Sequence, residues 1–150
     1  MPVVEESVII ARPAQEVFDF LAKYENIPVY DSAVTSAEQV GEGPVAAGTR
    51  GRGTTKIMGR SFDWTTEVTE FDPPRRLVSR SVDGKVDFTV TLSLEPADGG
   101  TRLTQRVEAG SGLGGVFGKL ADSLVERAYG RTVRANLETL AELLAEHPDA

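Results

Sequence analysis

The chain has 150 residues, no cysteine and a formal net charge of −7 at pH 7. This length is typical of a single domain, here 1–150, whose core is large enough to fold without disulfide bonds. The lack of cysteine excludes disulfides, thiolate metal ligands and a cysteine nucleophile. The acidic balance disfavours nucleic acids as partners. No apolar run approaches the ~18 residues of a membrane span and no basic leader opens the chain, so a cytoplasmic protein without a membrane span is expected.

The opening of the chain predicts a strand followed by a short amphipathic helix. Apolar residues between Val4 and Ile10 favour the strand. Pro13 ends it, because proline lacks the N–H of a sheet ladder and suits a first helical turn. The apolar face of the following helix is formed by Val17, Phe18, Leu21 and Tyr24. Around Pro28 this period is lost, which predicts a short helical turn and then a loop.

The stretch between Val34 and Gly110 favours six strands separated by short turn signals. Alternation is clearest on the strand where one face carries Val86, Phe88, Val90, Leu92 and Leu94. It recurs on two other strands, in Phe62, Trp64, Thr66 and Val68 and in Leu103, Gln105 and Val107. Strands that are joined by hairpins and are apolar on one side predict an antiparallel sheet with one covered face.

The last segment, from about Leu113 to Glu146, predicts a long helix that covers this face. Its apolar residues form two stripes, and the step between them, from Leu124 to Tyr129, is five residues. A kink, a π-bulge or a rotated face is therefore expected near Gly130. The glycine-rich start of the segment is either a lid over the sheet or a flexible connection.

These elements predict an α+β fold, in which a curved antiparallel sheet of about seven strands wraps around a long C-terminal helix, with short helices after the first strand. This order resembles the helix-grip fold of the START-like (SRPBCC) superfamily, to which Bet v 1-type proteins belong. Three segments, IIARPAQEVFDFLAKYENIPVYD, EFDPPRRLVSRS and GGTRLTQRVE, resemble its polyketide cyclase/dehydrase and lipid-transport-like branch. Tyr30 stands before Asp31 where relatives often have tryptophan, which alters one pocket wall. The resemblance implies an internal cavity for a hydrophobic molecule, or for cyclising and dehydrating a polyketide-like substrate.

Most catalytic constellations are absent from the sequence. The single histidine, His147, lies near the end of the chain beside a proline, so neither a Ser/His/Asp triad nor a histidine-rich metal site is expected. The segment GSGLGG at 110–115 satisfies G-x-G-x-x-G, but no second parallel strand follows its helix, as a dinucleotide site requires. We therefore expect no metal, nucleotide or other cofactor.

Acid–base chemistry without histidine would need a buried carboxylate or tyrosine with a shifted pKa. Asp31 and Tyr30 are the candidate catalytic residues, with Tyr24 and Tyr129 as further candidates. Asp31 is the first to test, because a carboxylate beside an aromatic ring at a pocket edge can have a raised pKa. The alternative for Asp31 is a side chain that caps a turn or a helix end.

The expected cavity depends on strand faces and on two glycines. Gly51 and Gly53 leave one strand face without side chains, which either opens space or permits a strong bend. The candidate ligand-binding residues are Tyr24, Gly51, Gly53, Phe62, Trp64, Phe88, Gln105, Phe117, Leu120 and Leu124. The favoured function is binding of a small polyketide-, aromatic- or lipid-like molecule, with or without its transformation by a cyclase or dehydrase mechanism. A non-catalytic carrier and a protein-interaction domain of the co-chaperone kind are the alternatives, as a monomer or a homodimer.

Overall fold

The computed structural model describes residues 3–57, 59–83, 87–110 and 122–146. Seven strands and three helices lie within these ranges. The strands are β1 (Val3–Ile10), β2 (Val34–Val40), β3 (Arg50–Ile57), β4 (Arg60–Asp72), β5 (Arg76–Asp83), β6 (Phe88–Ala97) and β7 (Gly100–Ala109). The helices are α1 (Ala14–Leu21), α2 (Ile27–Tyr30), which follows a 3₁₀ turn at Tyr24–Asn26, and α3 (Asp122–Glu146).

The seven strands form one antiparallel sheet in the order β1-β7-β6-β5-β4-β3-β2. Strands that follow one another from β2 to β7 are neighbours in the sheet. β1 pairs with β7 and forms one edge, and β2 forms the other. The register shifts at three places, one between β2 and β3 and two between β4 and β5. Such irregularities bend a strand and increase its twist, so they curl the sheet. The predicted α+β fold with a curved antiparallel sheet of seven strands is confirmed.

Helix α3 packs chiefly along β1 with a single apolar stripe. The stripe consists of Val125, Tyr129, Val133, Leu137, Leu140 and Leu144, spaced three or four residues apart. This spacing keeps side chains on one side of an α-helix. At the C-terminal end, Arg12 donates from Nε to the carbonyl of Leu144 (2.8 Å) and from its terminal nitrogen to that of Ala145 (3.2 Å). These bonds satisfy carbonyl groups that the helix itself leaves unpaired.

The structure corrects the predicted break in the last helix. The backbone is α-helical without interruption from Asp122 to Glu146, so there is no π-bulge near Gly130. Leu124 is 45% exposed, and the buried stripe of the described part of α3 includes the next residue, Val125. The step from Val125 to Tyr129 is then a regular four residues, so the stripe needs no rotated face. The predicted lid and the earlier part of the predicted helix, 113–121, lie outside the described residues.

Candidate ligand-binding cavity

A cavity of about 140 Å³ lies between the inner face of the sheet, the segment that contains α1 and α2, and one turn of α3. Most of its wall is apolar, as in Leu21, Val68, Leu77, Val90, Leu92 and Val107. The polar side chains that reach it come from the 3₁₀ turn, from α2 and Asp31 after it, from inner positions of β3, β4, β5 and β7, and from Tyr129 of α3. A mostly apolar cavity with a few placed polar groups is the usual form of a small-molecule site.

Three of the predicted ligand-binding residues, on β4 and β6, lie at the cavity wall because side chains alternate between the two faces of a strand. Phe62 and Trp64 point inward from β4 because they lie two residues apart, and Phe88 points inward from the start of β6. The indole Nε1 of Trp64 donates to the hydroxyl of Thr55 on β3 at 2.8 Å. This bond satisfies the only polar atom of the indole ring, so Trp64 presents an apolar surface to the cavity.

Gly51 and Gly53 lie on the inner face of β3, beneath two aromatic rings. A Cβ atom at Gly51 would overlap the ring of Tyr24, and one at Gly53 would overlap both the ring of Trp64 and the backbone oxygen of Ser36. The rings therefore rest directly on the bare backbone of β3, and the glycines themselves are not part of the cavity wall. The space predicted above this strand face is occupied in part by the two rings.

Tyr24 comes from the 3₁₀ turn and reaches the cavity beside Thr66 of β4. Its side chain is 7% exposed. Its hydroxyl has no hydrogen-bond partner among the described residues, since the neighbouring Thr66 hydroxyl is not in hydrogen-bonding geometry. Burial raises the pKa of Tyr24, and its interaction with Thr66 opposes this effect. The phenol stays protonated at neutral pH and has a hydrogen to donate.

A second cluster of polar side chains on the cavity wall consists of Tyr30, Asp31 and Tyr129. Burial raises the pKa of all three side chains. The negative charge of Asp31 raises the pKa of both tyrosines further, and hydrogen bonds to Asp31, first from the backbone amide of Ala33, partly offset the effect of burial on its own pKa. Two protonated phenols therefore share a pocket wall with one buried carboxyl group.

Asn136 of α3 holds this carboxyl group in place. Its side-chain nitrogen donates to Oδ1 of Asp31 at 2.8 Å, and its Oδ1 accepts from the amide and the hydroxyl of Ser32, both at 3.1 Å. Oδ1 of Asp31 also accepts from the amide of Ala33 at 3.0 Å, which closes a turn after α2. Asp31 thus caps a turn, as the structural alternative expected, and lies at the cavity wall as well.

Replacing Asp31 with asparagine is expected to stabilise the protein at neutral pH. The pKa of Asp31 is raised in the fold, so its contribution to stability is present below the unfolded pKa and is lost as pH rises through the folded value. Asparagine keeps the Oδ1 acceptor and removes the charge. The free energy of unfolding from urea titrations at pH 7 should rise by about 1.4 kcal/mol per unit of the upward pKa shift, with no gain near pH 3. A loss of stability at pH 7 would contradict this prediction.

The remaining predicted residues are divided among three locations. Gln105 lies on the inner face of β7, is largely buried and lines the cavity. Leu124 lies on the exposed side of α3 and does not line it, because the adjacent Val125 is the residue that faces the core. Phe117 and Leu120 lie outside the described residues. The roles of all these side chains in ligand binding stay predictions.

Sequence reasoning missed several residues of the site, among them Thr55 and Asn136. Thr55 was not singled out, although it shares the inner face of β3 with the two glycines. Asn136 is a polar residue on the apolar stripe of α3, one position before Leu137 and three after Val133. A polar side chain on a buried helical face needs a hydrogen-bond partner, and that signal was available in the sequence.

Metal and membrane features can be assessed only within the described ranges. There, no group of three or more histidine, aspartate or glutamate side chains is arranged to hold a metal ion. No helix among the same residues is long and apolar enough to cross a membrane. The glycine motif at 110–115 lies outside the described residues except for Gly110.

A curled antiparallel sheet that surrounds an apolar cavity and is covered by a long C-terminal helix defines a helix-grip protein of the START-like class. The sequence profile of one family, described as polyketide cyclase / dehydrase and lipid transport, matches residues 1–145. The chain belongs to this family, and the resemblance drawn from its sequence is confirmed.

Solved structures share the fold of this chain. The chain is similar to the protein TTHA0849 from Thermus thermophilus, with a TM-score of 0.81, 27% identity and coverage of 97% of this chain and 99% of that one. A START superfamily protein from Mycobacterium smegmatis has a TM-score of 0.77 and 15% identity over 96% of this chain and 97% of that one. The di-domain ARO/CYC BexL from the BE-7585A biosynthetic pathway has a TM-score of 0.72 and 20% identity. That match covers 100% of this chain and 48% of BexL, so the chain spans about half of that protein.

Proposed function

We propose that the protein binds a small hydrophobic molecule in the cavity between the sheet and α3. The observation that carries this proposal is a mostly apolar internal space reached by a few protonated phenols, one buried carboxyl group and a buried glutamine. An ordinary core of this size would fill such a space with side chains, because protein interiors are close-packed. Membership of a family described by polyketide cyclisation and lipid transport supports the same class of ligand.

The size of the cavity limits the ligand. Its volume is about 140 Å³, whereas sites for drug-sized molecules have about 300–1,000 Å³. An engineered apolar cavity of about 150 Å³ in another protein binds benzene. The space present here therefore suits a single aromatic ring with a small substituent, or a short acyl chain. A ligand with several fused rings would require the walls to move.

Thermal unfolding with added ligand tests the proposal. A ligand at 100 times its Kd stabilises the folded state by about 2.7 kcal/mol, which for a domain of this size raises Tm by about 5–10 °C. We expect such a rise with at least one compound among toluene, acetophenone, phenol and hexanoate. Val90→Phe is the matched control, because the larger side chain fills the cavity and should abolish the rise. If no compound raises Tm, or if Val90→Phe responds equally, the proposal is wrong.

Cyclisation or dehydration of a polyketide-like substrate is the second candidate function. Asp31 and Tyr30 would be its catalytic residues, because burial raises the pKa of the Asp31 carboxyl group and so favours the acid form that a proton donor needs. The similarity to one half of an ARO/CYC protein favours the idea. Since Oδ1 of Asp31 already accepts two hydrogen bonds, binding without reaction remains the first proposal. Turnover of a linear polyketide mimic that is lost in Asp31→Asn and Tyr30→Phe would favour catalysis. Turnover at the wild-type rate in both variants would show that these residues are not catalytic.

A further inference from the structure

The hydroxyl of Tyr24 is a buried polar atom without a partner. Nearly all buried polar side-chain atoms in proteins are hydrogen-bonded, so an exception calls for an explanation. Within the described part of the chain, this hydroxyl is the one fully buried side-chain nitrogen or oxygen atom that has no hydrogen-bond partner. It belongs to a residue of the cavity wall that is only 7% exposed.

The surroundings of Tyr24 prevent the hydroxyl from turning to another partner. The ring lies directly on the backbone of Gly51, which leaves no room behind it. The turn that carries the ring is fixed by Asn26, whose side chain donates to the carbonyl of Phe20 at 3.0 Å. Among the described residues, the polar side chain beside the phenol is that of Thr66, which is itself buried at the cavity wall. Two hydroxyl groups therefore lie side by side at a largely apolar surface.

We propose that Tyr24, with Thr66 beside it, is the hydrogen-bond donor that selects ligands with a carbonyl oxygen at this end of the cavity. A phenol is a more acidic donor than an aliphatic hydroxyl, and a carbonyl oxygen has two lone pairs, so it can accept from both groups. The remainder of the ligand lies against the apolar wall formed by Trp64 and Val90. The ligand class is thus a compact aryl or unsaturated ketone. This inference rests on the proposed binding function.

A pair of ligands that differ in one atom group tests the inference. Acetophenone and α-methylstyrene have nearly the same shape, but the second has a CH₂ group in place of the carbonyl oxygen. Calorimetric titration should show that the wild-type protein binds acetophenone about five to ten times more tightly, as expected for one buried hydrogen bond. In Tyr24→Phe this ratio should fall to about one, while the Kd of α-methylstyrene stays within about twofold of its wild-type value.

Two threonines on the same strand provide matched variants. Thr66→Val removes the hydroxyl beside Tyr24 and should lower the preference about twofold to threefold. Thr65→Val makes the same chemical change on the opposite face of β4, because neighbouring strand residues point to opposite sides, and should leave the ratio unchanged. Quenching of Trp64, the one tryptophan of the chain, gives an independent measure of binding.

The outcomes separate this inference from the proposed function. If the wild-type protein binds both ligands equally, or if Tyr24→Phe keeps the preference for acetophenone, the role assigned to Tyr24 is wrong and the binding function stands. If Tyr24→Phe weakens both ligands to the same extent, Tyr24 only packs against the ligand and the inference is again wrong. If neither ligand binds to the wild-type protein, the proposed binding function fails for this ligand class and the inference fails with it.

Discussion

Replacing Gly51 with alanine is expected to weaken acetophenone binding about tenfold or more and to lower the free energy of unfolding by about 2 kcal/mol. The new Cβ would overlap the ring of Tyr24, which rests on the backbone of β3 at this position. The ring cannot move toward β3, so it must rotate into the cavity or push the 3₁₀ turn outward. Either movement changes the volume and the hydroxyl position that a ligand meets.

Two effects of opposite sign compete in this variant. Glycine in a strand loses more conformational freedom on folding than alanine does, so without a clash the substitution would stabilise the protein by about 0.5–1 kcal/mol. Forcing extra volume into a packed site costs about 1–3 kcal/mol. The overlap involves three atoms of a rigid and buried aromatic ring, Cδ1, Cε1 and Cζ, rather than the end of a flexible chain, so we expect the steric cost to be larger.

A double variant provides the control. Tyr24→Leu removes the overlapping ring, so adding Gly51→Ala to it should cause no further loss of stability. The coupling free energy between the two positions, measured by urea unfolding of the four proteins, should therefore be about 2 kcal/mol. A Gly51→Ala protein with wild-type stability and wild-type Kd would show that the ring does not depend on the bare backbone of β3.

Much of the fold follows from local patterns in the sequence. Alternation of apolar residues placed Phe62, Trp64 and Phe88 on one face of the sheet, and the structure has them at the cavity wall. These strand predictions succeed because the period of a strand is a property of neighbouring residues. Helical spacing also placed Tyr24 on the first helix, but α1 ends at Leu21 and Tyr24 lies on the 3₁₀ turn that follows.

The contacts that shape the cavity depend on distant residues and were not predictable in this way. Nothing in the local pattern shows that the ring of Tyr24 covers Gly51, since that contact requires the curvature of the whole sheet. The bond between Asn136 and Asp31 joins residues 105 positions apart. The error at Leu124 has a different origin. The helical spacing of Leu113, Phe117, Leu120 and Leu124 predicted an apolar stripe, and the neighbouring Val125, which is buried, was overlooked.

Replacing Asn136 with leucine is expected to lower the free energy of unfolding by about 3 kcal/mol at pH 7. Leucine has the same branching and the same number of side-chain heavy atoms as asparagine, so the substitution leaves no empty cavity. Asn136 is 5% exposed and connects α3 to α2 through one donated and two accepted hydrogen bonds. Without it, a buried carboxylate loses a donor, whereas the amide and hydroxyl of Ser32, an exposed residue, can bond to water instead. Each unsatisfied buried group costs about 1–3 kcal/mol, and a charged group costs more.

The loss should depend on pH in a defined direction. The side chain of Asn136 lowers the pKa of Asp31, so its removal raises that pKa further. Near pH 3 the carboxyl group is protonated in both proteins and needs less compensation, so the difference in unfolding free energy between wild type and Asn136→Leu should be smaller than at pH 7. In an Asp31→Asn background the difference should lose most of this pH dependence, because the titrating group is gone.

Thr139→Val is the matched control for Asn136→Leu. Thr139 lies on the same helix, three residues further on, is exposed and bonds only to the carbonyl of Ala135 at 3.0 Å. A surface change of this kind alters stability by about 0.5 kcal/mol or less. If Asn136→Leu is no more destabilising than Thr139→Val, the buried network does not hold α2 against α3. The positions of Tyr30 and Asp31 at the cavity wall would then depend on apolar packing alone, and ligand binding should survive the substitution.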